Sequence, residues 1–177
     1  MAKQQQRKDK VFFIGKEDKH EHGVAFLVHK DIVNTVTECR PFSSRLITIR
    51  LRTVPFNITI VQAYPQTSDY DENKIEEFYY QLQNVIAQTP KKDIFVVQGV
   101  GMQKWAGMLL ETGKAFVDPS AMMTQMRGLR LLEFATFNDL VLANTFGYHK
   151  ASRRWTWHSP NGQYHNQIDY ILVRRRF

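Results

Sequence analysis

The fold is predicted most strongly by one short stretch, Asp93-Ile94-Phe95-Val96-Val97-Gln98. Four consecutive apolar residues between polar ones are typical of a central strand that is covered on both faces. Strands of this kind occur mainly in layered α/β proteins, so the stretch predicts a sheet with further layers packed against it.

Other strands and helices are predicted on both sides of this stretch. Apolar side chains at helical spacing predict a helix over Glu72–Gln88, which Thr89-Pro90 ends. The segment Arg45–Arg52 alternates in the period of two that is typical of a strand. The other predicted elements are a second helix, Gly128–Asn138, and the strands Val11–Gly15, Gly23–His29, Asn57–Tyr64, Leu140–Asn144, Arg154–His158 and Gln167–Val173. Residues 99–125 show no assignable pattern, and the order of the rest predicts an α/β sandwich of two stacked sheets with helices outside.

Length and charge limit the domain organisation. The 177 residues predict one domain over residues 11–177, preceded by a disordered basic tail, residues 1–10, which has no apolar residue after Ala2. The net charge is +7, but residues 1–10 and 174–176 each carry a net +3. Because most of the excess lies at the two ends, composition alone supports a nucleic-acid partner only weakly.

The cellular compartment is predicted from what the sequence lacks. Cys39 is the single cysteine, so no disulfide can form within the chain. We expect an intracellular protein, nuclear or cytoplasmic and not secreted, because no signal-peptide pattern is visible. No apolar run approaches the roughly 20 residues of a membrane span, so we expect no membrane partner.

Common nucleotide-binding motifs do not fit. Gly99-Val100-Gly101 follows a strand, but Lys104 stands where a dinucleotide-binding loop needs its third glycine. Gly113-Lys114 is followed by Ala115 instead of the Ser or Thr that would hold magnesium in a phosphate loop.

Tyr64 is one candidate site residue, because it closes a predicted strand at the end where sites gather in layered α/β proteins. Its hydroxyl could donate a hydrogen bond to a phosphoryl oxygen. The alternative is an aromatic side chain at the edge of the core, which spacing alone favours.

Asp169 is the second candidate. It lies in a strand whose two faces are both largely apolar, so its carboxylate needs a partner. A paired aspartate can orient a catalytic histidine or ligate a metal. Alternatively, Asn166 or backbone amides satisfy it.

Several segments in this order resemble the endonuclease/exonuclease/phosphatase superfamily. Within it, the chain is similar to the apurinic-endonuclease-like endonuclease domains of RTE/BovB-type non-LTR retrotransposons. The resemblance runs from Val11 to Phe177 and implies the two-sheet α/β sandwich of that superfamily, which we expect to be incomplete at both ends. The segments that carry it are Asn57–Ile60, Gln62–Thr67, Thr89–Asp93, Arg127–Phe134, Ala143–Phe146, Arg154–His158 and Gln167–Leu172.

The resemblance implies hydrolysis of phosphodiester bonds in DNA with Mg²⁺ or Mn²⁺. It implies that Tyr64 is a phosphate ligand and that Asp169 orients a catalytic histidine. Thr156 and Trp157 match the closing strand, where side chains approach the nucleic-acid backbone. The full set of candidate nucleic-acid-binding residues is Arg153, Arg154, Trp155, Thr156, Trp157 and Asn166.

The sequence also departs from the family pattern. The G-D-x-N motif of the family reads Gly99-Val100-Gly101-Met102 here, so valine and methionine replace the aspartate and asparagine. The family's opening metal-binding Glu would lie before Val11 and its closing S-D-H segment beyond Phe177. We therefore assign no metal ligands and expect impaired catalysis, since residues that act as a unit fail together.

Three interpretations stay open at this point. The chain is an impaired retrotransposon endonuclease domain, or a non-catalytic domain that binds nucleic acid or protein, or an active nuclease that uses Glu17, Asp18 or Asp118 instead. We expect non-specific DNA binding through charge, and a protein partner that covers exposed sheet edges.

Overall fold

The computed structural model describes residues 8–15, 23–65, 72–100, 129–146, 150, 153, 155–163, 165–166 and 169–175. All structural statements below concern this part of the chain. For Val100, Thr145, Trp157 and Asn166 they concern the backbone alone.

The described residues form one large sheet and two strand pairs. The large sheet has six strands in the order β3-β4-β5-β6-β10-β7, so β6 is central, as the sequence predicts. β5 and β6 run parallel, and the other neighbours in this sheet are antiparallel. The pairs β1-β2 and β8-β9 are antiparallel as well. The strands are β1 (Lys10–Ile14), β2 (Val24–Val28), β3 (Val36–Ser43), β4 (Leu46–Leu51), β5 (Ile58–Ala63), β6 (Ile94–Val100), β7 (Leu140–Leu142), β8 (Trp157–His158), β9 (His165–Asn166) and β10 (Asp169–Arg174).

Two α-helices cover one face of the large sheet. The first, α1 (Glu72–Gln88), has the predicted bounds, and the second, α2, includes residues 129–137. Short 3₁₀ turns lie at Val33–Thr35 and Ala143–Thr145. The helices bury one apolar face each against alternate residues of the strands, because strand side chains point to opposite faces in turn. The centre of this core consists of Tyr79, Leu82, Val85, Leu131, Phe95, Val97, Tyr170 and Leu172.

The β1-β2 hairpin packs on the opposite face of the large sheet, so the molecule has a helix layer, a sheet and a second, smaller strand layer. Phe26 and Val28 of the hairpin are buried against Ile47 and Ile49 of β4. This arrangement confirms the mixed α/β sandwich predicted from the sequence. β1 begins at Lys10, and Asp9 accepts a hydrogen bond from the backbone N–H of Lys30 at 2.8 Å.

The prediction that both faces of β6 are covered holds for one face of the described structure. Phe95 and Val97 are fully buried under the helices. On the other face Ile94 is 37% exposed, and Ile171 of neighbouring β10 is 40% exposed. The hairpin covers β4 and β5 and leaves this part of the sheet open among the described residues.

The sequence missed two strands, β3 and the two-residue β9, and misplaced two others. β3 is an edge strand that carries Glu38, Arg40 and Pro41, so it lacks apolar alternation. The predicted strand Leu140–Asn144 ends at Leu142 and continues as a 3₁₀ turn. The predicted strand Arg154–His158 begins only at Trp157.

A buried ion pair closes one end of the sheet. Arg50 donates from Nε and Nη2 to the carboxylate of Asp93, at 2.6 and 3.0 Å. The hydroxyl of Thr59 donates to the same carboxylate at 2.8 Å. The three residues belong to β4, to the turn before β6 and to β5, so the network ties three neighbouring segments together. No helix in the described part of the chain is both long and apolar enough to cross a membrane.

Candidate active-site edge

The two candidate residues of the sequence both lie at the other end of the sheet. Tyr64 directly follows β5, and Asp169 is the first residue of β10. The register pairs Ala63 with Gly99, and it pairs Val100 with Asp169. Tyr64 and Asp169 therefore lie at the same edge, two strands apart, with the end of β6 between them.

Tyr64 is fixed by an arginine that the sequence reasoning missed. The backbone N–H of Tyr64 donates to the carbonyl of Arg45 at 2.9 Å, and its own carbonyl accepts from Arg45 Nη1 at 3.3 Å. The guanidinium carbon lies 5.7 Å from the centre of the Tyr64 ring, within cation–π distance. The pairing of Leu46 with Ala63 brings this cation to the edge, and no local pattern around Arg45 reveals it.

Asp169 is held through its backbone. Its N–H donates to Thr156 Oγ1 at 3.2 Å, and its carbonyl accepts from Asn144 Nδ2 at 3.2 Å. Its side-chain Oδ1 is buried and has no hydrogen-bond partner among the described residues. A buried carboxylate oxygen without a donor is costly, so a hydrogen-bond donor at this atom would stabilise the edge.

Beyond the last residue of β7, the side chain of Asn144 forms hydrogen bonds with the backbone of β10. Besides the bond to Asp169, its Oδ1 accepts a hydrogen bond from the backbone N–H of Ile171 at 2.7 Å. One side chain thus satisfies two backbone groups at the start of β10. The sequence pointed to this residue only as part of the resemblance at Ala143–Phe146.

Two glutamines lie behind the edge on the face of the β1-β2 hairpin. Gln98 Nε2 donates to Gln62 Oε1 at 2.8 Å, and both side chains are half-buried. The pair links β5 to β6 two residues before Tyr64 and Val100. It adds polar groups next to the candidate site that sequence reasoning did not single out.

Of the predicted nucleic-acid-binding residues, Thr156 contacts Asp169 in the described structure and the others are placed differently. Thr156 is brought to Asp169 by its hydrogen bond, whereas Trp155 stacks on His165 with ring centres 4.3 Å apart. His165 also lies against His158, with 2.6 Å between their Nδ1 atoms. Arg153 is exposed. Of the others, Trp157 pairs with Asn166 in the β8-β9 backbone, and Arg154 lies outside the described residues.

The described residues do not by themselves fit a divalent metal ion. Asp169 is the only carboxylate that the described structure brings to this edge, and no group of three or more His, Cys, Asp or Glu residues in the described ranges could hold a metal. Mg²⁺ needs several oxygen ligands in octahedral geometry. Glu17, Asp18, Asp118 and Met102 lie outside the described residues.

The layered architecture matches solved endonucleases. The endonuclease domain of TRAS1, a telomere-specific non-LTR retrotransposon, aligns with a TM-score of 0.66 at 15% identity, over 96% of this chain and 68% of that one. The AP endonuclease LMAP from Leishmania major aligns with a TM-score of 0.70 at 13% identity, over 94% of this chain and 62% of that one.

The chain has the fold of the endonuclease/exonuclease/phosphatase superfamily. The resemblance drawn from the sequence motifs is therefore confirmed at the level of fold.

The chain is also similar in sequence to a curated protein from two mammals. Craniofacial development protein 2 of Bos taurus is 34% identical over 172 residues, which cover 94% of this chain and 28% of that protein. The protein of the same name from Tragulus javanicus is 33% identical, with 29% of its length covered. The chain thus spans less than a third of the curated relatives it matches. No protein-family model matches the sequence.

Proposed function

We propose that this chain is a retrotransposon-derived, endonuclease-like domain that binds DNA and in which metal-dependent hydrolysis of phosphodiester bonds is impaired. The observation that carries the proposal is the residue paired with Asp169 at the end of β6, which is Val100. The resemblance places the aspartate of the G-D-x-N motif at this position. An aliphatic side chain can neither ligate a metal nor orient a water, so the central strand lacks a chemical group that the family reaction needs.

The rest of the edge retains groups that suit a phosphate. The hydroxyl of Tyr64 can donate a hydrogen bond, and the guanidinium of Arg45 supplies positive charge beside it. Hydrogen bonds from a cation to phosphate are stronger than those between neutral groups. When bound in the family, the metal polarises the phosphate and stabilises charge in the transition state. Binding without hydrolysis is therefore the behaviour that these side chains support.

DNA as the partner is inferred from the solved neighbours. Two of them are an endonuclease domain of a retrotransposon and an AP endonuclease. Arg153 is exposed and precedes by three residues Thr156, whose hydroxyl accepts a hydrogen bond from the N–H of Asp169. Contacts of such side chains with the phosphate backbone do not read the bases. We therefore expect weak binding without sequence preference.

A nicking assay tests the catalytic part of the proposal. The purified chain is incubated with supercoiled plasmid and Mg²⁺ or Mn²⁺, and we expect no nicking above background. Tyr64→Phe and Asp169→Ala are run in parallel, with Tyr80→Phe as control because Tyr80 is 68% exposed on α1. Metal-dependent nicking that persists in the control and disappears in the two site variants would overturn the proposal.

A salt titration tests the DNA-binding part. Binding of a fluorescent duplex is measured at several salt concentrations for the chain and for Arg45→Gln and Arg153→Gln. Each cation that neutralises a phosphate contributes about −0.9 to the log–log slope, so each variant should flatten the slope by about that amount. The matched control is Lys30→Gln, at an exposed position outside the edge. Binding that is undetectable at low salt, or independent of salt, refutes the assignment of DNA as partner.

A protein-interaction domain is the second candidate, and one specific observation favours it. The outward face of the β1-β2 hairpin carries Val11, Phe13 and Leu27, which are 56%, 78% and 73% exposed. Val11 and Leu27 are paired across the two strands, so the exposed apolar residues are adjacent. If DNA binding fails the salt test while Phe13→Ser reduces self-association in sedimentation, this candidate replaces the first.

A further inference from the structure

Two turns enclose a pocket at the end of the sheet opposite Tyr64 and Asp169. One turn precedes β5 and the other precedes β6, and they are joined by a hydrogen bond from the N–H of Ile94 to the carbonyl of Asn57 at 2.8 Å. The pocket has a volume of about 390 Å³. Its lining consists of Arg50, Pro55, Phe56, Asn57, Pro90, Lys91, Lys92 and Asp93.

Two lysines give this pocket its positive charge. The N–H of Asp93 donates to the carbonyl of Pro90 at 3.0 Å, which closes a β-turn with Lys91 and Lys92 at its two central positions. Both lysines are exposed, and neither forms an ion pair with a described residue. The charge of Arg50, by contrast, is balanced by Asp93.

The buried ion pair fixes the position of the lysines. Asp93 is anchored by Arg50 and Thr59, so the residue that ends the turn cannot move freely. Arg174 adds a further cation beside the turn, since its Nη1 donates to the carbonyl of Pro90 at 3.4 Å. Two lysines on a fixed turn can bind an anion at a smaller entropic cost than two lysines on a mobile loop.

The rest of the lining includes an aromatic ring and a polar side chain. Phe56 is 40% exposed, although it is a large apolar side chain. Asn57 accepts a hydrogen bond from the N–H of Thr53 at 3.4 Å through Oδ1, while its Nδ2 donates to no described residue. An aromatic ring next to free cations is the combination that binds single-stranded nucleic acids, because every base can stack on the ring.

We propose that this pocket binds one nucleotide of a single-stranded nucleic acid, with the phosphate on Lys91 and Lys92 and the base against Phe56. The volume lies within the roughly 300–1,000 Å³ of small-molecule sites. The free Nδ2 of Asn57 can donate to an acceptor on the base. The pocket lies at the far end of the sheet from Tyr64 and Asp169, so it is a second nucleic-acid site and does not depend on the proposed function of the first edge.

Anisotropy of a short fluorescent oligothymidylate tests the proposal on the whole chain. The double variant Lys91→Gln/Lys92→Gln should flatten the log–log salt slope by about 1.4, at about 0.7 for each cation on single strands. Phe56→Leu keeps an apolar side chain but removes the ring, and should weaken binding roughly tenfold. Thymidine 5′-monophosphate should compete for the pocket far better than inorganic phosphate at the same ionic strength.

Controls separate this pocket from general charge and from the first edge. Lys30→Gln/Lys150→Gln removes the same charge from exposed positions that do not line the pocket, and should lower the affinity less than the pocket variant. Asp169→Ala should leave competition by thymidine monophosphate unchanged, because Asp169 lies at the opposite end of the sheet. We expect this result whether or not duplex DNA binds at the edge of Tyr64 and Asp169. An equal effect of the two lysine pairs, equal competition by inorganic phosphate or polyglutamate, or an unchanged affinity in Phe56→Leu would each overturn the nucleotide assignment.

Discussion

Asp93→Asn should destabilise the fold strongly, because Asp93 is the centre of the hydrogen-bond network that ties β4, β5 and the turn before β6 together, at the end of the sheet opposite Tyr64. Its carboxylate accepts two hydrogen bonds from Arg50 and one from Thr59, and its side chain is only 3% exposed. An amide has one acceptor oxygen and would direct an N–H toward another donor. Breaking a buried ion pair typically costs about 3–5 kcal/mol. Because the Arg50 side chain is 32% exposed and water can rehydrate it, we expect a loss of about 2–3 kcal/mol.

Equilibrium unfolding in urea, followed by circular dichroism, measures this loss. With an m-value of about 2 kcal/mol/M, the unfolding midpoint should fall by about 1–1.5 M. The melting temperature should fall by about 4–12 °C for a chain of this size. Asp31→Asn is the control, because Asp31 is 74% exposed and its contact with His29 should contribute less than about 0.5 kcal/mol. A midpoint shift in Asp93→Asn no larger than that of the control would refute the reasoning.

The same variant predicts a pH dependence with a definite sign. The hydrogen bonds from Arg50 lower the pKa of Asp93 in the folded protein, against the opposing effect of burial. Above the unfolded pKa of about 3.9 the carboxylate is ionised in both states, and the ion pair contributes its full stability. As pH falls further, the unfolded chain binds the proton first, so this contribution is lost down to the folded pKa. The stability difference between the chain and Asp93→Asn should thus be constant near neutral pH and shrink below about pH 4.

Three further changes test other parts of the fold by urea unfolding. Leu172→Ala should cost about 2–5 kcal/mol, because Leu172 is fully buried between the sheet and the helices and leaves a cavity; a loss below 1 kcal/mol would contradict its place in the core. Asn144→Ala should cost about 1–3 kcal/mol, since the N–H of Ile171 and the carbonyl of Asp169 lose their partner. Phe137→Ser should change stability by less than about 0.5 kcal/mol, because Phe137 is 82% exposed, and a larger loss would show that it is covered.

The elements with strong periodicity were predicted well from the sequence. α1 has the predicted bounds because its buried residues, from Phe78 to Ile86, recur at helical spacing. The apolar run of β6 identified the centre of the sheet. In both cases the local pattern is imposed by burial against a neighbouring layer, so the pattern carries the structural information.

The parts that were missed depend on partners distant in the chain. β3 lies at the sheet edge, where solvent on one side removes the apolar alternation that marks inner strands. Arg45 reaches Tyr64, and Asn144 reaches Asp169, only through the register of strands 19 and 25 residues away. The sequence around Arg45 carries no trace of such a contact, so the sequence analysis named Tyr64 and Asp169 as candidates but not the side chains that contact them.

The ion-pair network of this sheet lies far from the edge that holds Tyr64 and Asp169. The ion pair of Arg50 and Asp93 lies at one end of the sheet, and Val100 lies at the other. Side chains that are far apart and share no partner usually contribute to stability independently. Replacing a strand-end aspartate by valine at the Tyr64 edge therefore leaves the network and the helix-covered core intact. The residues of this network and core are not those that would perform hydrolysis, so the proposed loss of activity is compatible with retention of the fold.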